Sequence, residues 1–274
     1  MKKMHRNERM SVMLKILSDD PNRIHTLSSF CEMFGSAKST MSEDIAILSQ
    51  VLADYDQGTL ETVTGAAGGV RYRRTVSRAH AYEMIAGLCE KLSGTERVLP
   101  GGFLYYSDIL SDPRLVRGMS QIFATEYYDA APDFVLTMET KGIPVALATA
   151  EALGVPLVIA RHASKVYEGS AVNINYVSGS SGSIQTMSLS RRAVTPGQRC
   201  LIVDDFLKGG GTAKGMCDLM AEFDVTVVGM AFVMATATPS RKRISDARAL
   251  MTLEVEQRDE EDVATVRPAA WLAE

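Results

Sequence analysis

The run Leu201–Gly215 constrains the fold of this 274-residue chain more than any other segment. Three apolar residues lead into two adjacent acids, and a loop with a lysine, three consecutive glycines and a threonine follows. An apolar run that ends in such a loop predicts a buried strand, a tight turn and then a helix. Strands and helices joined in this way are typical of α/β domains.

The same loop is suited to bind a phosphate group. Glycines let several backbone N–H groups face one anion, and the N-terminus of a helix adds partial positive charge. The loop is not a Walker A motif, because GxxxxGK[ST] is absent, and the alternative is a tight turn without a ligand. The two acids can accept hydrogen bonds from sugar hydroxyls. The candidate binding residues are Asp204, Asp205, Phe206, Leu207, Lys208, Gly209, Gly210, Gly211 and Thr212.

A second segment has a similar organisation. The apolar run Phe134–Met138 leads into Glu139, Thr140, Lys141 and Gly142, and a helical pattern follows. Strand, Lys-Gly turn and helix form another arrangement that can hold a phosphate. Arg161, after the next strand, is either a further cation for this site or a surface arginine. Phe103, in the segment 101–105, is available either to stack on a base or to pack in the core.

Apolar runs and helical patterns alternate through most of the chain. Strands are predicted at Phe134–Met138, Val155–Ala160, Leu201–Val203 and Val225–Met234, with helices near 112–127, 144–153 and 212–223. This alternation predicts an α/β fold with a parallel sheet. The Ser-, Gly- and Asn-rich residues 163–188 are predicted to form a long loop or a hairpin.

The N-terminal part has a different pattern. Helices are predicted at 8–18, at Leu27–Phe34 before Gly35, and around Met41–Leu52. The third helix has a capping box at Thr40 to Glu43, and Ser36 and Ser39 are equally suitable residues for its start. The glycine-rich residues 58–74 predict a hairpin. Three helices and a basic hairpin describe a winged helix-turn-helix, so we place one domain at 1–75 and a second at 76–274.

A winged helix binds DNA with the exposed start of its third helix and with its hairpin, or wing. Strand alternation places Arg71 and Arg73 on the face opposite Val70 and Tyr72, and the arginines contact DNA or form a solvated edge that blocks strand pairing. The candidate DNA-contacting residues are Lys38, Ser39, Thr40, Ser42, Glu43, Arg71, Tyr72 and Arg73.

Charge and composition restrict the class of protein further. The net charge is −4, while residues 1–76 hold 10 Lys+Arg against 9 Asp+Glu, so the N-terminal domain is the less acidic one. The four cysteines are isolated and lack metal-ligand spacing. No run of about 18 apolar residues is present, and the start lacks a signal peptide's apolar core. We therefore expect a cytoplasmic protein without metal or membrane association.

The residues resemble two known families. The strand, acid pair and Gly/Thr loop are similar to the site for phosphoribosyl pyrophosphate (PRPP) in type I phosphoribosyltransferases. Longer stretches resemble the purine operon repressors of Gram-positive bacteria over residues 1 to about 270. These are SAKSTMSEDIAIL (36–48), GTLETVTGAAGGVRY (58–72), LPGGFLYYSDIL (99–110) and KVYEGSAVNINYVSGSSGSIQTMSLSRRA (165–193).

The resemblance implies a homodimeric repressor that binds operator DNA and is released from it by PRPP. Asp204 and Asp205 would bind the ribose hydroxyls, residues 208–212 the 5′-phosphate and residues 139–142 the diphosphate. No resident cofactor is implied, although PRPP can carry Mg²⁺. The domain would serve as a sensor rather than as an enzyme.

Two alternatives stay open at this point. The first is an active purine phosphoribosyltransferase with a regulatory DNA-binding head, in which Lys165, Tyr167 and Glu168 lie where the family has its mobile catalytic loop. The second is a different effector, such as a purine nucleotide or a guanosine polyphosphate.

Overall fold

In the computed structural model the chain forms two compact units, residues 1–77 with 151–154 and residues 78–150 with 155–274. The structure describes residues 4–65, 68–163, 169–178, 182–258 and 261–273. Residues 4–77 are called the head below, and the larger unit is called the sheet unit.

The head consists of three helices and an antiparallel strand pair, in the predicted order. Its elements are α1 (Arg6–Asp19), α2 (Leu27–Phe34), α3 (Lys38–Asp54), β1 (Thr59–Val63) and β2 (Gly69–Arg73). Apolar side chains from all three helices and from β2 pack together in one core. They include Met13, Leu17, Phe30, Met41, Leu48, Val70 and Tyr72. The predicted winged helix-turn-helix therefore has a hydrophobic core of its own.

The turn between α2 and α3 is short. Gly35 ends α2 in the left-handed conformation at φ 59°, as predicted. The α3 helix begins at Lys38 after an extended Ala37, and no side chain caps its first turn. The predicted starts at Thr40 and Ser39 are therefore wrong, because both lie inside the helix, and the start at Ser36 lies one residue before the observed N-cap, Ala37. The first N–H groups of α3 consequently have no side-chain partner.

A buried ion pair joins α1 to α3. Asp44 is fully buried, and Arg9 Nε lies 2.6 Å from its Oδ2 atom while Arg6 Nε lies 2.9 Å from its Oδ1 atom. Burial acts to raise the pKa of Asp44, but hydrogen bonds and charge from Arg9 and Arg6 hold that pKa below its usual value. The carboxylate thus remains charged and fixes the two helices together.

The other elements lie in the sheet unit, except that residues 151–153 at the end of α7 belong to the first unit. In chain order they are α4 (Arg78–Leu92), β3 (Val98–Leu99), β4 (Phe103–Leu104), α5 (Ser107–Ser111), α6 (Pro113–Tyr127), β5 (Phe134–Met138), α7 (Ile143–Leu153), β6 (Leu157–Ala160), β7 (Ala171–Val177), β8 (Ile184–Ser190), β9 (Arg199–Leu207), α8 (Gly211–Ala221), β10 (Thr226–Thr236), β11 (Ala247–Arg258), β12 (Glu261–Pro268) and a 3-10 helix (Ala270–Leu272).

Six of these strands form one sheet in the order β12-β11-β10-β9-β5-β6. All neighbours are parallel except β11 and β12, which are antiparallel. The four predicted strands are β5, β6, β9 and β10, and they lie side by side. The residues of β5 are all buried, because helices cover central strands of a parallel sheet on both faces.

The sequence pattern did not reveal β11 and β12. Both strands carry many charged residues, as expected for strands near the edge of a sheet, and so lack a continuous apolar run. The segment predicted as a loop or hairpin contains the antiparallel pair β7-β8.

None of the helices in the described part of the chain has the length and apolar character needed to cross a membrane.

The buried ion pair of the head leads to a stability prediction. Replacing Asp44 by Ala leaves Arg9 buried without its partner, and such a loss costs about 3–5 kcal/mol. We expect the Asp44→Ala protein to unfold its head at lower urea concentration, measured by circular dichroism. Glu43→Ala removes only the exposed pair with Arg6 and should cost less than about 1 kcal/mol.

The same measurement has a defined pH dependence. Because the pKa of Asp44 is lowered by folding, its contribution is present above the unfolded value of about 4 and is lost as pH falls through the folded value. The Asp44→Ala protein should lack this acid-induced loss. Equal stability of the Asp44→Ala and Glu43→Ala proteins at neutral pH would contradict a structural role for the ion pair between Asp44 and Arg9.

Candidate functional site

The glycine-rich loop connects the end of β9 to the start of α8. Gly210 has φ 78°, which favours glycine, and α8 begins at the next residue. A Cβ at Gly210 would lie 3.2 Å from the backbone nitrogen of Arg243, whose N–H donates to Gly209 O. The loop is therefore held from outside by the segment before β11, and its inner face borders a cleft.

That cleft has a volume of about 420 Å³. It is lined by residues from both predicted phosphate segments: Glu139, Thr140 and Lys141 from the first, and all nine residues Asp204–Thr212 from the second. Strands β5 and β9 are parallel neighbours, so their carboxyl ends meet at one edge of the sheet, where open α/β sheets bind ligands. The side chain of Leu207 is buried in the core, so this residue faces the cleft with its backbone.

Asp204 is the buried member of the acid pair. Its Oδ1 atom accepts a hydrogen bond from the backbone nitrogen of Asp205 at 3.0 Å and one from the Thr137 hydroxyl at 3.5 Å. Burial, and then the nearby charge of Asp205, raise the pKa of Asp204 well above its usual range. Asp205 is only partly buried and accepts a hydrogen bond from the Tyr106 hydroxyl at 2.5 Å.

Gly142 is required where the two segments approach each other. A Cβ at this position would lie 2.0 Å from Asp204 Oδ1 and 2.6 Å from Thr137 Oγ1. Glycine therefore lets the acid pair and the Lys-Gly turn share one cleft. The peptide bond between Glu139 and Thr140, at the start of this turn, is cis.

Arg161 does not itself line the cleft, but it contacts Glu139, which does. Its Nη1 atom lies 3.2 Å from Glu139 Oε2, and the backbone nitrogen of His162 donates to Glu139 Oε1 at 2.7 Å. The carboxylate of Glu139 thus accepts hydrogen bonds from two donors that follow β6, the Arg161 side chain and the His162 backbone. A ligand phosphate that used Arg161 would have to share it with this carboxylate.

Phe103 does not line the phosphate cleft. It is 62% exposed and borders a neighbouring cleft of about 840 Å³. Lys141, Phe206 and Lys208 line both clefts. The two spaces therefore adjoin each other, and the second one has the aromatic lining of a site for a flat ring.

Several residues in and around the cleft were not predicted from the sequence. Tyr176 and Gln185 come from the hairpin β7-β8, and the Tyr176 hydroxyl donates to Gln185 Oε1 at 2.8 Å. Burial raises the pKa of Tyr176, which therefore stays protonated as a donor. Thr137 supports Asp204, and Tyr106 supports Asp205. The only available signal was the unusual Asn- and Tyr-containing run in β7. The predicted loop residues Lys165, Tyr167 and Glu168 lie outside the described residues.

The start of α3 presents the other group of predicted contacts. Lys38, Ser39, Ser42 and Glu43 are exposed there, and Thr40 is half-buried. The Ser42 hydroxyl donates to Lys38 O at 3.1 Å, and Glu43 pairs with Arg6 at 3.3 Å. This end of the helix is thus polar and accessible.

The wing differs from its prediction at one residue. Tyr72 is 8% exposed and packs in the core of the head, with its hydroxyl donating to Gln57 O at 2.6 Å. The prediction of a DNA contact by Tyr72 is therefore wrong, because strand alternation points it inward beside Val70. Arg71 and Arg73 lie on the other face, where Arg71 donates twice to Glu61 at 3.0 Å and Arg73 Nε lies 3.0 Å from the same carboxylate.

Among the described residues, no group of three or more His, Cys, Asp or Glu side chains is placed to hold a metal ion.

Family models match both parts of the chain. Residues 5–73 match the N-terminal domain of the bacterial purine repressor, and residues 106–270 match the phosphoribosyl transferase domain. The adenine phosphoribosyltransferase of Thermoanaerobacter pseudethanolicus has the same fold, with a TM-score of 0.52 over 61% of this chain and 97% of that one, at 20% identity. Fold and site thus define a DNA-binding regulator built on a phosphoribosyltransferase fold.

Full-length relatives narrow this class to one family. The chain is 44% identical over 250 residues to a probable purine biosynthesis transcriptional regulator of Streptococcus pneumoniae, covering 91% of each chain. It is 42% identical to the purine biosynthesis transcriptional repressor of Bacillus subtilis, over 92% of this chain and 88% of that one. A purine biosynthesis transcriptional activator of Lactococcus lactis is 39% identical, over 92% and 93%. The chain belongs to the bacterial purine repressor family, as the sequence resemblance predicted.

The close approach at Gly142 can be tested by substitution. Gly142→Ala places a methyl group against the Asp204 carboxylate, and overpacking of this kind costs about 1–3 kcal/mol. We expect a lower melting temperature for the sheet unit in calorimetry. Gly87→Ala is the matched control, because α4 leaves open space there; it should leave the melting temperature unchanged or slightly higher. Equal melting of the two variants would contradict the described packing.

Proposed function

We propose that this protein represses genes of purine biosynthesis and transport by binding operator DNA, and that PRPP binds the 420 Å³ cleft and weakens DNA binding. The observation that carries this proposal is the convergence of two phosphate-type loops with an acid pair at one edge of the sheet. A ligand that fits carries two separate phosphate groups and a vicinal diol, which is the chemistry of PRPP. Such a regulator acts in the cytoplasm, where bacterial DNA lies.

Each part of PRPP has a matching group in the cleft. The 5′-phosphate is assigned to the loop of Lys208 to Thr212, where backbone N–H groups and the start of α8 favour an anion. The ribose hydroxyls are assigned to Asp204 and Asp205. The diphosphate, with any Mg²⁺ that it carries, is assigned to residues 139–142 and Arg161.

The head is proposed to bind DNA as part of a homodimer on paired half-sites, since one small head with little net charge binds weakly. Lys38, Ser39, Thr40, Ser42 and Glu43 would face the major groove. Arg71 and Arg73 would contact backbone phosphates while remaining paired with Glu61. Repression follows the name of the Bacillus subtilis relative, and the Lactococcus lactis relative bears the name of an activator.

The coupling between the two ligands is thermodynamic. PRPP can release DNA only if it binds more tightly to the DNA-free state than to the DNA-bound state. Linkage then requires that operator DNA weaken PRPP binding by the same factor. That factor can be measured either as the effect of PRPP on operator affinity or as the effect of operator DNA on PRPP affinity.

A reciprocal pair of variants tests this division of roles. Asp204→Asn with Asp205→Asn replaces one carboxyl oxygen of each acid, which can accept a ribose hydroxyl, by an amide NH2 donor, so this protein should bind operator DNA normally and ignore PRPP. Lys38→Ala should bind PRPP normally and bind operator about tenfold more weakly, as expected for the loss of one good contact. Operator affinity is measured by fluorescence anisotropy with and without PRPP at one fixed salt concentration, because phosphate contacts depend strongly on salt.

Two control results distinguish an error in the proposed effector from an error in the proposed DNA-binding domain. Wild-type protein whose operator affinity is unchanged by saturating PRPP would refute PRPP as the effector. In that case competition with purine nucleotides and guanosine polyphosphates identifies the alternative ligand. Loss of operator binding in the correctly folded Asn variant would contradict the assignment of DNA binding to the head alone.

The second candidate function is a purine phosphoribosyltransferase, and the complete pair of phosphate loops favours it. We propose that the domain senses PRPP without transferring its ribosyl group, because its relatives over the full length are named transcriptional regulators. The protein mixed with PRPP, Mg²⁺ and adenine, guanine, hypoxanthine or xanthine should release pyrophosphate no faster than PRPP decays alone. Base-dependent release in a coupled assay would establish the enzyme instead.

A further inference from the structure

Tyr106 lies between the two phosphate segments, and no part of the proposed function assigns it a role. It immediately precedes α5, and its side chain is 7% exposed. Its hydroxyl donates to Asp205 Oδ2 at 2.5 Å. Burial, and then the charge of Asp205, raise the pKa of Tyr106, so the phenol stays protonated and can act only as the donor in this pair.

The ring of Tyr106 makes two further contacts. It stacks on Phe206 with 6.0 Å between ring centroids, and Lys141 Nζ lies 5.1 Å from the centroid of the Tyr106 ring. Phe206 directly follows the acid pair, and Lys141 belongs to the Lys-Gly turn. One buried tyrosine therefore contacts an acid of the first segment and the cation of the second.

Asp205 needs such a donor because of its neighbour. Asp204 is buried behind it, and its carboxylate already receives the Asp205 N–H and the Thr137 hydroxyl. Two adjacent carboxyl groups repel each other when both are charged. A fixed O–H group on one oxygen of Asp205 offsets this repulsion and sets the orientation of the carboxylate. The other lone pairs of Asp205 stay available to hydroxyl groups of a ligand.

We propose that Tyr106 is a positioning residue that makes the cleft selective for a ligand with a vicinal diol, by holding Asp205 ready to accept a sugar hydroxyl. The inference rests on the proposed function, in which the acid pair binds ribose. It adds a residue outside both phosphate loops that determines how strongly the cleft distinguishes ribose from deoxyribose. Through the ring contact with Lys141, the same residue ties the sugar site to the diphosphate turn.

Calorimetric titration of the full chain with ribose 5-phosphate, 2-deoxyribose 5-phosphate, inorganic phosphate and PRPP tests the inference. The wild-type protein should prefer ribose 5-phosphate over the deoxy compound by about tenfold, the value of one hydrogen bond to a charged group. Tyr106→Phe keeps the ring and removes the hydroxyl. Its preference should fall to within about twofold, while its affinity for inorganic phosphate stays at the wild-type value.

Two further variants separate positioning from general damage. Tyr82→Phe changes an exposed tyrosine of α4 and should keep the full preference for ribose. Asp205→Asn should lose the preference as Tyr106→Phe does, and the double variant should lose no more, because residues that act together are not additive. All variants are first compared with the wild type in thermal melting.

The outcomes distinguish this inference from the proposed function. A wild-type ribose preference retained by Tyr106→Phe overturns the role of Tyr106, and so does an equal loss of affinity for phosphate and for ribose 5-phosphate. A wild-type protein without any ribose preference overturns it as well. Wild-type protein that binds ribose 5-phosphate but not PRPP overturns the proposed effector and leaves the role of Tyr106 standing.

Discussion

The approach of Asp204 to Gly142 is the contact on which the geometry of the candidate site depends. It places a buried carboxylate at the end of β9 against the backbone of the turn that follows β5, with no room for a side chain between them. Burying an acid is unfavourable, and the raised pKa of Asp204 reflects that cost. The surrounding hydrogen bonds from Thr137 and the Asp205 backbone offset part of it. The parallel pairing of β5 and β9 fixes the distance, so the sheet itself determines the spacing between the acid pair and the Lys-Gly turn.

The head also contains a buried acid, but there the acid is paired with cations. Its buried acid, Asp44, sits between two arginines and remains charged, because Arg9 and Arg6 hold its pKa low. In the sheet unit the buried acid faces a second acid, so its pKa is high. A buried acid with a paired cation serves to fix helices, whereas a strongly perturbed acid beside another acid in a cleft marks a candidate functional site.

The sequence was sufficient to predict features that depend on neighbours along the chain. The loop after β9, the turn after β5, the end of α2 at Gly35 and the four buried strands all follow from local composition and periodicity. Contacts between distant segments were not predictable, because they depend on which strands are adjacent and how each loop folds. The Tyr106–Asp205 hydrogen bond, the Glu139–Arg161 pair and the hairpin residues Tyr176 and Gln185 are of this kind. The strands β11 and β12 were missed because their charged residues interrupt the apolar pattern, and Tyr72 was assigned to DNA although strand alternation already placed it inside.

The pairing of Arg71 and Arg73 with the single carboxylate of Glu61 also affects the energetics of any contact that the wing makes. A free arginine loses up to about 2 kcal/mol of side-chain conformational entropy when it is immobilised. These two arginines lose much of that freedom when the hairpin folds, before any partner is present. The wing therefore holds a preorganised and partly buried pair of guanidinium groups, whose side chains are 22% and 17% exposed. A phosphate that reaches them does not have to order two flexible chains.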